Sequence, residues 1–280
     1  MDKIISLGVG KQSSALYLMS SIGLLPRADL AIFCNTGAEK TKTIDYFKYL
    51  LNWKIKNNGI PLFEASYKNL EFDLLNKNNL EITRFACIPA FTKNKDNSKG
   101  MLRRQCTGEY KINQMNKKYR EILKLGNKRF PLTEIWIGIS SDERHRMSIP
   151  IEKWKINVYP FCGFKIYSDG HCERMPGYVS TLGSIIKWYE DNVLLIPEKS
   201  SCKFCPFQSD YNWDRLNKLN PLDFQTACEV DESIRNMTKF GINSPLYLHK
   251  SLKPLKEIQF NKRKKGFFDD LGNCTDYCDI

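Results

Sequence analysis

The sequence has few histidines and no long apolar segment, and each shortage argues against a class of protein. Only 3 of its 280 residues are histidine, so a zinc site that needs a histidine pair is not expected. No stretch reaches the roughly 20 apolar residues that a membrane-spanning helix requires, so we expect no membrane partner. The start, Met1–Lys3, runs into an apolar stretch that Lys11 and Gln12 interrupt, unlike a secretory leader. These absences predict a cytoplasmic protein.

Acidic residues are scarce relative to basic ones. The chain has 43 Lys and Arg against 31 Asp and Glu, which gives a net charge of +12. Segment 99–129 holds ten of the basic residues and two glutamates, and Lys262–Lys265 forms a second basic run. Such runs favour a polyanionic partner such as nucleic acid or a nucleotide. A solvated basic face is the alternative that the composition leaves open.

Cysteine, by contrast, is abundant. The chain has ten cysteines, and it is long enough to bury a sizeable core without disulfide bonds. A disulfide framework is typical of secreted proteins, and the sequence shows no secretory leader. We therefore expect the cysteines to be free thiols or metal ligands.

Short apolar runs alternate with helical patterns through the first half of the chain, which is the rhythm of a parallel sheet. The predicted strands are 4–6, 30–33, 62–64 and 135–139. The predicted helices are 13–23, 41–57, 68–78 and, after a polar loop over 84–105, 108–124 with Thr107 as its N-cap. The prediction is therefore an α/β fold with a doubly wound, mostly parallel sheet.

Strand signals fade after about residue 160, and helical patterns dominate the rest. The predicted helices are 180–192, 210–219 and 221–236. Asn220 is a candidate cap of the last one, and Pro221 suits its first position. The final stretch, 261–280, lacks a clear period. We therefore expect a nucleotide-binding domain over 1–160 and a smaller helical carboxyl-terminal lobe with an irregular tail over 161–280.

A glycine-containing segment, 6–14, links the first predicted strand to the first predicted helix. Gly8 and Gly10 permit close backbone approach, and the following helix offers N–H groups to an anion. The segment lacks the Gly-Lys-Ser/Thr of a Walker loop, and Ser13 stands where a dinucleotide fingerprint requires glycine. The segment alone predicts either a phosphate loop or a simple tight turn.

Two segments in register resemble a known family. Gly8–Ser14 resembles the PP-loop, Ser-Gly-Gly-x-Asp-Ser, of ATP-pyrophosphatases and of the phosphoadenosine-phosphosulfate reductase superfamily. Cys34–Glu39, followed by Thr43, resembles the family's Asp-Thr-Gly segment. The resemblance implies an adenine nucleotide alpha hydrolase-like fold that binds ATP with Mg²⁺. Gln12 departs from it, because many members carry aspartate there, and the metal-assisted phosphate contact is in question. The nucleotide-binding residues that the resemblance implies are Ser6, Gly8, Gly10, Lys11, Gln12, Ser13, Ser14, Asn35, Thr36 and Gly37.

A third block, 136–147, resembles the family's Gly-Ile-x-x-x-Glu-x-x-Arg segment. It follows a predicted strand, and α/β sheets bind ligands at the carboxyl ends of their strands. The resemblance places Glu143 and Arg146 at the substrate as catalytic residues. A salt-bridged surface turn is the alternative. His145, between them, is a weaker candidate for acid–base chemistry.

The strongest metal signal is the Cys-x-x-Cys-Pro motif formed by Cys202 and Cys205, whose spacing lets two thiolates bind one metal centre. The resemblance adds Cys106, at the position of a cysteine pair in cluster-bearing reductases. Three cysteines are the pattern of PP-loop tRNA thiolases, which implies a [4Fe–4S] cluster with one open iron. The alternatives are a structural zinc with an added ligand such as His249, and a redox disulfide between Cys202 and Cys205.

The remaining cysteines fall into three groups. Cys274 and Cys278 in the tail resemble family cysteines and are predicted to relay persulfide as catalytic residues, with plain tail thiols or added cluster ligands as the alternatives. A segment over 161–177 that does not match the family holds three residues that, together with Asp169, are an alternative candidate for a second metal site. These three are Cys162, His171 and Cys172. Cys34, Cys87 and Cys228 are predicted to be small buried hydrophobes.

Together these features predict an enzyme that cleaves ATP to AMP and pyrophosphate and adenylates a substrate for iron–sulfur-dependent sulfur transfer. Nucleic acid is the expected substrate, as in tRNA thiolation or DNA phosphorothioation, with a cysteine desulfurase as a possible sulfur donor. One alternative is a sulfonucleotide reductase, although the family's carboxyl-terminal Glu-Cys-Gly-Leu/Ile-His motif is absent. The other is a nucleotide- or nucleic-acid-binding module without turnover. The sequence leaves the oligomeric state open, a homodimer included.

Overall fold

The structure, a computed structural model, describes residues 1–76, 88–94, 98–176 and 178–260. The strands are β1 (Asp2–Leu7), β2 (Leu30–Asn35), β3 (Leu62–Ser66), β4 (Phe91–Lys93), β5 (Lys99–Met101), β6 (Thr133–Ile137), β7 (Lys155–Tyr159), β8 (Phe164–Tyr167) and β9 (Cys172–Arg174). The α-helices are α1 (Lys11–Ser21), α2 (Thr41–Asn57), α3 (Leu70–Leu75), α4 (Asn113–Ile122), α5 (Leu182–Asp191), α6 (Asp210–Leu219) and α7 (Pro221–Ser233). Short 3₁₀ helices span Ser141–Arg146, Thr238–Phe240 and Leu255–Glu257, and a π-helix over Thr107–Ile112 precedes α4.

Within the described residues, the fold is α/β and its centre is a seven-stranded sheet in the order β3-β2-β1-β6-β7-β8-β9. In this order, neighbouring strands among β3, β2, β1, β6 and β7 pair in parallel, and β8 and β9 extend the sheet in antiparallel fashion. This mostly parallel sheet is compatible with a doubly wound fold. All five residues of β6 are buried, which explains why the central strands read as nearly unbroken apolar runs.

Helices cover both faces of the sheet. On one face, α1, α2 and α5 pack against side chains such as Phe33 and Val158. On the other face, α4 contributes Met115 and Tyr119 to a core with Ile135 and neighbouring strand residues. Because strand side chains alternate between faces, adjacent residues of one strand belong to different cores. These helices cover the two faces of the sheet, and the candidate site described below lies at the carboxyl ends of the parallel strands.

The predicted strands and helices of the first half are confirmed, with bounds that shift by a few residues. Two predictions for this region need correction. The polar loop predicted over 84–105 contains β4 and β5, which pair with each other. Thr107 is not the cap of the following helix, because the helical backbone already begins there and Cys106 takes the N-cap position.

The prediction that strands end near residue 160 is wrong for β8 and β9. These strands are short, and β9 is exposed throughout, so neither shows the apolar run or clear alternation that marks a strand in sequence. They continue the central sheet past the expected boundary, and α5 then packs against α1 in the same core. The helices predicted near 182, 210 and 221 are present, with Pro221 at the first turn of α7 as expected.

A third core lies among the helices of the carboxyl-terminal half and α3. The α6 and α7 helices pack there with α3 around Phe204 and Trp213, both fully buried. Asp223, in the first turn of α7, accepts two 2.8 Å hydrogen bonds from the backbone N–H and hydroxyl of Thr41. A carboxylate is favourable at a helix N-terminus. Asp223 therefore caps α2 from a distant part of the chain.

In the part of the chain that the structure describes, we find no helix with the length and apolar character needed to cross a membrane.

Candidate functional site

The site lies where the strand order of the sheet reverses. The chain leaves β1 into α1 on one side of this point, and it leaves the neighbouring strand β6 into the 3₁₀ turn Ser141–Arg146 on the other. Open α/β sheets bind ligands in the crevice outside the carboxyl ends of the strands at such a point. The predicted phosphate loop and the predicted Glu143 block are therefore neighbours because of the topology.

The loop before α1 is tightly packed. Val9 has a φ of +59°, a conformation that β-branched residues rarely adopt and that was not predicted. A Cβ added to Gly10 would lie 2.8 Å from the Ser200 Oγ, so the Ser200 side chain packs directly against this glycine. The Ser13 hydroxyl is buried and accepts a 3.3 Å hydrogen bond from the Gly10 N–H. Both residues shape the loop rather than face open space.

Gly138 is a further glycine that this arrangement requires. A Cβ there would lie 2.6 Å from the backbone N and Cα of Ser13. Backbone atoms cannot rotate out of the way, so the end of β6 and the start of α1 meet at van der Waals distance only because residue 138 is glycine. This contact fixes the phosphate loop against the Glu143 block.

Gln12 links the two segments directly. Its Nε2 donates hydrogen bonds to the Ser140 Oγ at 2.7 Å and to the Glu143 Oε2 at 2.5 Å. The same carboxylate oxygen accepts a 2.9 Å hydrogen bond from Arg146, and both of these charged side chains are buried. Glu143 and Arg146 therefore form a buried pair beside the phosphate loop and not a surface turn. His145, beside them in sequence, is exposed.

A polar cavity of about 700 Å³ adjoins the first residue of α1. Four basic residues, namely Lys11, Lys40, Lys199 and Arg215, line it together with Glu198. Lys11 comes from the predicted loop, whereas sequence reasoning missed the other three, because chain folding rather than spacing brings them together. Burial lowers the pKa of Lys40 to about 8, an effect that the nearby carboxylate opposes. The cavity offers an anion several cations beside a helix N-terminus.

The second predicted nucleotide segment turns sharply after β2. Gly37 has a φ of +75°, and its N–H donates a 2.9 Å hydrogen bond to the Asn35 side chain. The buried Thr36 hydroxyl donates a 3.0 Å hydrogen bond to Glu39 and lies 3.9 Å from the Cys202 Sγ. This segment therefore lies against the Cys-x-x-Cys motif.

The three predicted metal ligands meet in one pocket. Cys106, Cys202 and Cys205 all line it, with a volume of about 520 Å³ that includes its open mouth. Thr36 lines it too, which links the pocket to β2. The backbone of the Cys-x-x-Cys segment is held to the same strand end, since the Lys203 N–H donates a 2.9 Å hydrogen bond to the Ala38 carbonyl.

The thiols in this pocket stand in a charged setting. Enclosure by protein raises the pKa of the Cys202 thiol well above its ordinary value, and the nearby Glu39 raises it further. Lys111 acts in the opposite direction, and its ammonium lies 3.6 Å from the Glu39 carboxylate. Metal binding requires thiolates, so a cationic centre bound here would provide the charge that makes deprotonation favourable.

Three cysteine side chains are the thiol donors that this pocket offers to a bound group. Within the described residues, no group of three or more His, Cys, Asp or Glu side chains is close enough to hold one metal ion. A cluster binds each thiolate at a different iron, so its ligands need not surround a single point. Two further features suit a bound group: Arg104 and Lys111 line the pocket, and the buried Ser201 hydroxyl has no hydrogen-bond partner among the described residues.

His249, which was proposed as an added zinc ligand, does not lie in the cysteine pocket. His249 is buried, and its ring nitrogens contact the Ser251 hydroxyl at 2.8 Å and the Asp210 carboxylate at 3.3 Å. Burial lowers the pKa of this histidine. Both nitrogens are therefore engaged by neighbouring protein groups, and His249 does not line the cysteine pocket.

The other cysteines in the described residues lie apart from this pocket. Cys34 and Cys162 are buried and donate hydrogen bonds to backbone carbonyls, at 3.2 and 3.3 Å. Burial raises the pKa of Cys34 to about 12 and that of Cys162 and Cys228 to about 11. Cys172 is exposed on β9, so it does not form a second metal site with Cys162. Three predicted positions, Cys87, Cys274 and Cys278, lie outside the described residues.

Comparisons of the chain with protein-family models, with curated proteins and with solved structures found no match.

Proposed function

We propose that this chain is an AMP-forming ATP pyrophosphatase of the PP-loop type, with an adenine nucleotide alpha hydrolase-like fold. Its substrate is a nucleic acid that it activates for sulfur transfer, as in tRNA thiolation or DNA phosphorothioation. Sulfur enters beside a [4Fe–4S] cluster held by Cys106, Cys202 and Cys205. The observation that carries the proposal is the meeting of these three cysteines, distant in sequence, in a pocket that also contains Thr36 of the nucleotide segment.

The basic cavity supports the nucleotide half of this proposal. Its four basic side chains would bind the phosphates of ATP, and the N-terminus of α1 adds backbone N–H groups. Lys199 lines this cavity, and Ser201, two residues later in the chain, lines the cysteine pocket. The phosphate site and the cysteine pocket are therefore neighbours, so one substrate could reach both.

The proposed chemistry has two steps. An oxygen of the acceptor attacks the α-phosphorus of ATP, the bond to the bridging oxygen breaks, and pyrophosphate leaves. Inorganic sulfide then attacks the activated atom of the acceptor, and AMP departs with the acceptor oxygen. The basic side chains offset the charge that develops on the leaving pyrophosphate. A cluster held by three cysteines supplies an iron with an open position for a sulfur species.

The buried Glu143–Arg146 pair has a positioning role in this scheme. Gln12, bonded to Glu143, is fixed at the first turn of α1, which orients the helix N–H groups toward the phosphates. The neutral amide also leaves position 12 without a carboxylate to bind Mg²⁺. We therefore propose that Mg²⁺, which ATP carries, is bound by phosphate oxygens more than by this residue.

Anaerobic purification tests the cluster, and a pyrophosphate-release assay tests the activation step. The proposal expects brown protein with iron and sulfide, and it expects AMP and pyrophosphate from ATP when RNA or DNA and sulfide are added. The rival reaction is reduction of a sulfonucleotide, which needs no ATP. Release of sulfite from a sulfonucleotide with thioredoxin, together with no ATP turnover, would replace the proposed function with that one.

A further inference from the structure

An exposed aromatic ring lies close to the mouth of the cysteine pocket. Tyr67 follows β3, the edge strand of the sheet, and three residues later Leu70 lines the pocket. The intervening turn is fixed, because the Leu70 N–H donates a 2.9 Å hydrogen bond to the Thr36 carbonyl. Asn69 of the same turn packs against Gly37, where a Cβ would lie 2.7 Å from its side chain. Tyr67 is therefore attached rigidly to the pocket wall.

The Tyr67 ring is supported by a neighbouring aromatic ring and remains partly exposed. Its side is supported by Tyr110, which it meets edge-on with ring centroids 5.9 Å apart. Tyr110 is itself buried, and its hydroxyl donates a 2.7 Å hydrogen bond to Asp73. Tyr67 nevertheless remains 49% exposed. An exposed, supported aromatic ring provides a preformed surface for stacking at a low cost in conformational entropy.

Two lysines flank this ring. The ammonium of Lys117, on α4, lies 4.9 Å from the ring centroid, and that of Lys68 lies 5.7 Å from it. Both lysines are exposed. Lys117 belongs to the basic segment 99–129, so the structure brings part of that charge beside the pocket rather than onto a remote face.

A second cation–aromatic pair stands on the pocket itself. Arg104 lines the pocket, and its guanidinium lies 5.9 Å from the Phe207 ring centroid. Two carboxylates of this region are engaged in the protein, since Glu71 pairs with Lys203 at 2.8 Å and Asp73 accepts from Tyr110. The surface here carries exposed aromatic and cationic side chains, which suit unpaired bases and phosphates.

We propose that Tyr67, Lys68 and Lys117 form a platform for single-stranded nucleic acid, on which an unpaired base stacks while the lysines contact flanking phosphates. A duplex is a poor occupant, because its bases already stack on each other. The inference rests on the proposed function in one respect, because it takes the bound strand to be the acceptor of sulfur. The platform then determines which nucleotide lies next to the cysteine pocket.

Fluorescence anisotropy with labelled single-stranded RNA and DNA, and with a duplex of the same sequence, tests the platform. Tyr67→Ala is expected to weaken single-strand binding by about 5-fold to 150-fold, the loss of one stacked base. Tyr67→Phe keeps the ring and is expected to retain wild-type affinity. Tyr178→Ala is the matched control, because Tyr178 is 47% exposed and follows β9, at the opposite edge of the sheet. The single strand that binds more tightly identifies the acceptor as RNA or DNA.

The lysines are tested by the salt dependence of the same binding. Lys68→Ala and Lys117→Ala are each expected to lower the slope of log affinity against log salt by about 0.7, the value for one phosphate on a single strand. Unchanged affinity in Tyr67→Ala, or equal affinity for duplex and single strand, would overturn the platform.

Iron content and pyrophosphate release, measured on the same preparations, separate the two proposals. If the protein contains iron and turns over ATP but Tyr67→Ala binds single strands as tightly as the wild type, the platform is refuted and the proposed function stands. If Tyr67→Ala weakens binding but the protein contains no iron and does not turn over ATP, the proposed function is refuted and the platform stands.

Discussion

The side-chain amide of Gln12 donates a 2.5 Å hydrogen bond to the carboxylate of Glu143, and this bond joins the two segments that flank the strand reversal. Glu143 is buried, and its carboxylate also pairs with the guanidinium of Arg146. A carboxylate at position 12, as in the family that the loop resembles, would place two negative charges together unless a cation separated them. The amide takes the place of that cation.

Gln12→Glu tests this relationship, because it replaces a donor with an acceptor of the same shape. We expect it to lower the free energy of unfolding by about 1 to 3 kcal/mol, as when a buried polar group loses its partner. Added Mg²⁺ should raise the melting temperature of this variant more than that of the wild type.

Gln225→Glu provides the control for Gln12→Glu. Gln225 also donates to a glutamate, at 3.0 Å, but it is exposed on α7. An exposed change should shift stability by less than about 0.5 kcal/mol. Equal losses in the two variants would mean that burial of the Glu143 carboxylate has no special effect.

Gly138→Ala should disturb the phosphate loop. The added Cβ would meet the Ser13 backbone at 2.6 Å, so α1 must move away from β6. Overpacking of this kind costs about 1 to 3 kcal/mol, measurable by urea unfolding, and ATP affinity should fall as well.

Gly108→Ala is the matched control for that change, because no atom outside its chain neighbours and its own helix backbone lies within 4 Å of the added Cβ. Since residue 108 is helical, alanine should stabilise the protein by roughly 0.5 to 1 kcal/mol. A Gly138→Ala variant that unfolds and binds ATP like the wild type would show that the contact between β6 and α1 is not tight.

The sequence predicted the central strands well, because β1, β2 and β6 are buried on both faces and read as apolar runs. It failed for the short strands β8 and β9, which pair in antiparallel fashion at one end of the sheet, where β9 is the edge strand. The place of a strand in the sheet cannot be predicted from the local pattern of apolar and polar residues.

The site divides in the same way. Cys202 and Cys205 were identified by their spacing and Cys106 by resemblance, and the three meet in one pocket. Lys199 and Ser200 were not identified, because only the folded chain brings this segment against the loop before α1. The contact of Gly10 with Ser200 was likewise not predicted, because the two residues are distant in sequence.

Lys11→Ala should weaken ATP binding, because it removes a cation from the polar cavity at the start of α1. The loss of one charge-assisted hydrogen bond, about 1.5 to 3 kcal/mol, corresponds to roughly 10-fold to 150-fold in affinity by calorimetry. Lys187→Ala removes an equal charge from α5, where the side chain is exposed and pairs with Asp191. Equal effects of the two changes would argue for general charge attraction instead of a phosphate site.

Cys34 should make stability depend on alkaline pH. Burial raises its pKa to about 12 in the folded state, so the unfolded state ionises first as pH rises. Its contribution is fully present below the ordinary thiol pKa and is lost between that value and about 12. At pH 10 the loss should be about 1 to 2 kcal/mol relative to pH 7, since the ordinary thiol pKa is near 8.5.

Cys34→Ala isolates that loss. Urea unfolding of wild type and variant at both pH values gives the difference, which cancels the tyrosines that also titrate there. The contrary result is that wild type and Cys34→Ala lose the same stability between the two pH values. This would show that the thiol ionises as easily in the folded protein as in the unfolded chain.

The cysteine pocket gives the most direct prediction. Cys106→Ala, Cys202→Ala and Cys205→Ala should each lower the iron and sulfide content of anaerobically purified protein, because each removes one of three thiolates in the pocket. Cys34→Ala and Cys228→Ala should keep the wild-type content, since neither residue lines it. Cys34 serves as the stricter control, because its thiol is buried in the neighbouring core and its loss also leaves a small cavity. Melting temperatures of the metal-free proteins separate loss of a ligand from loss of the fold. Colourless wild-type protein that contains stoichiometric zinc would contradict the cluster, and wild-type iron in all three pocket variants would show that these cysteines are not its ligands.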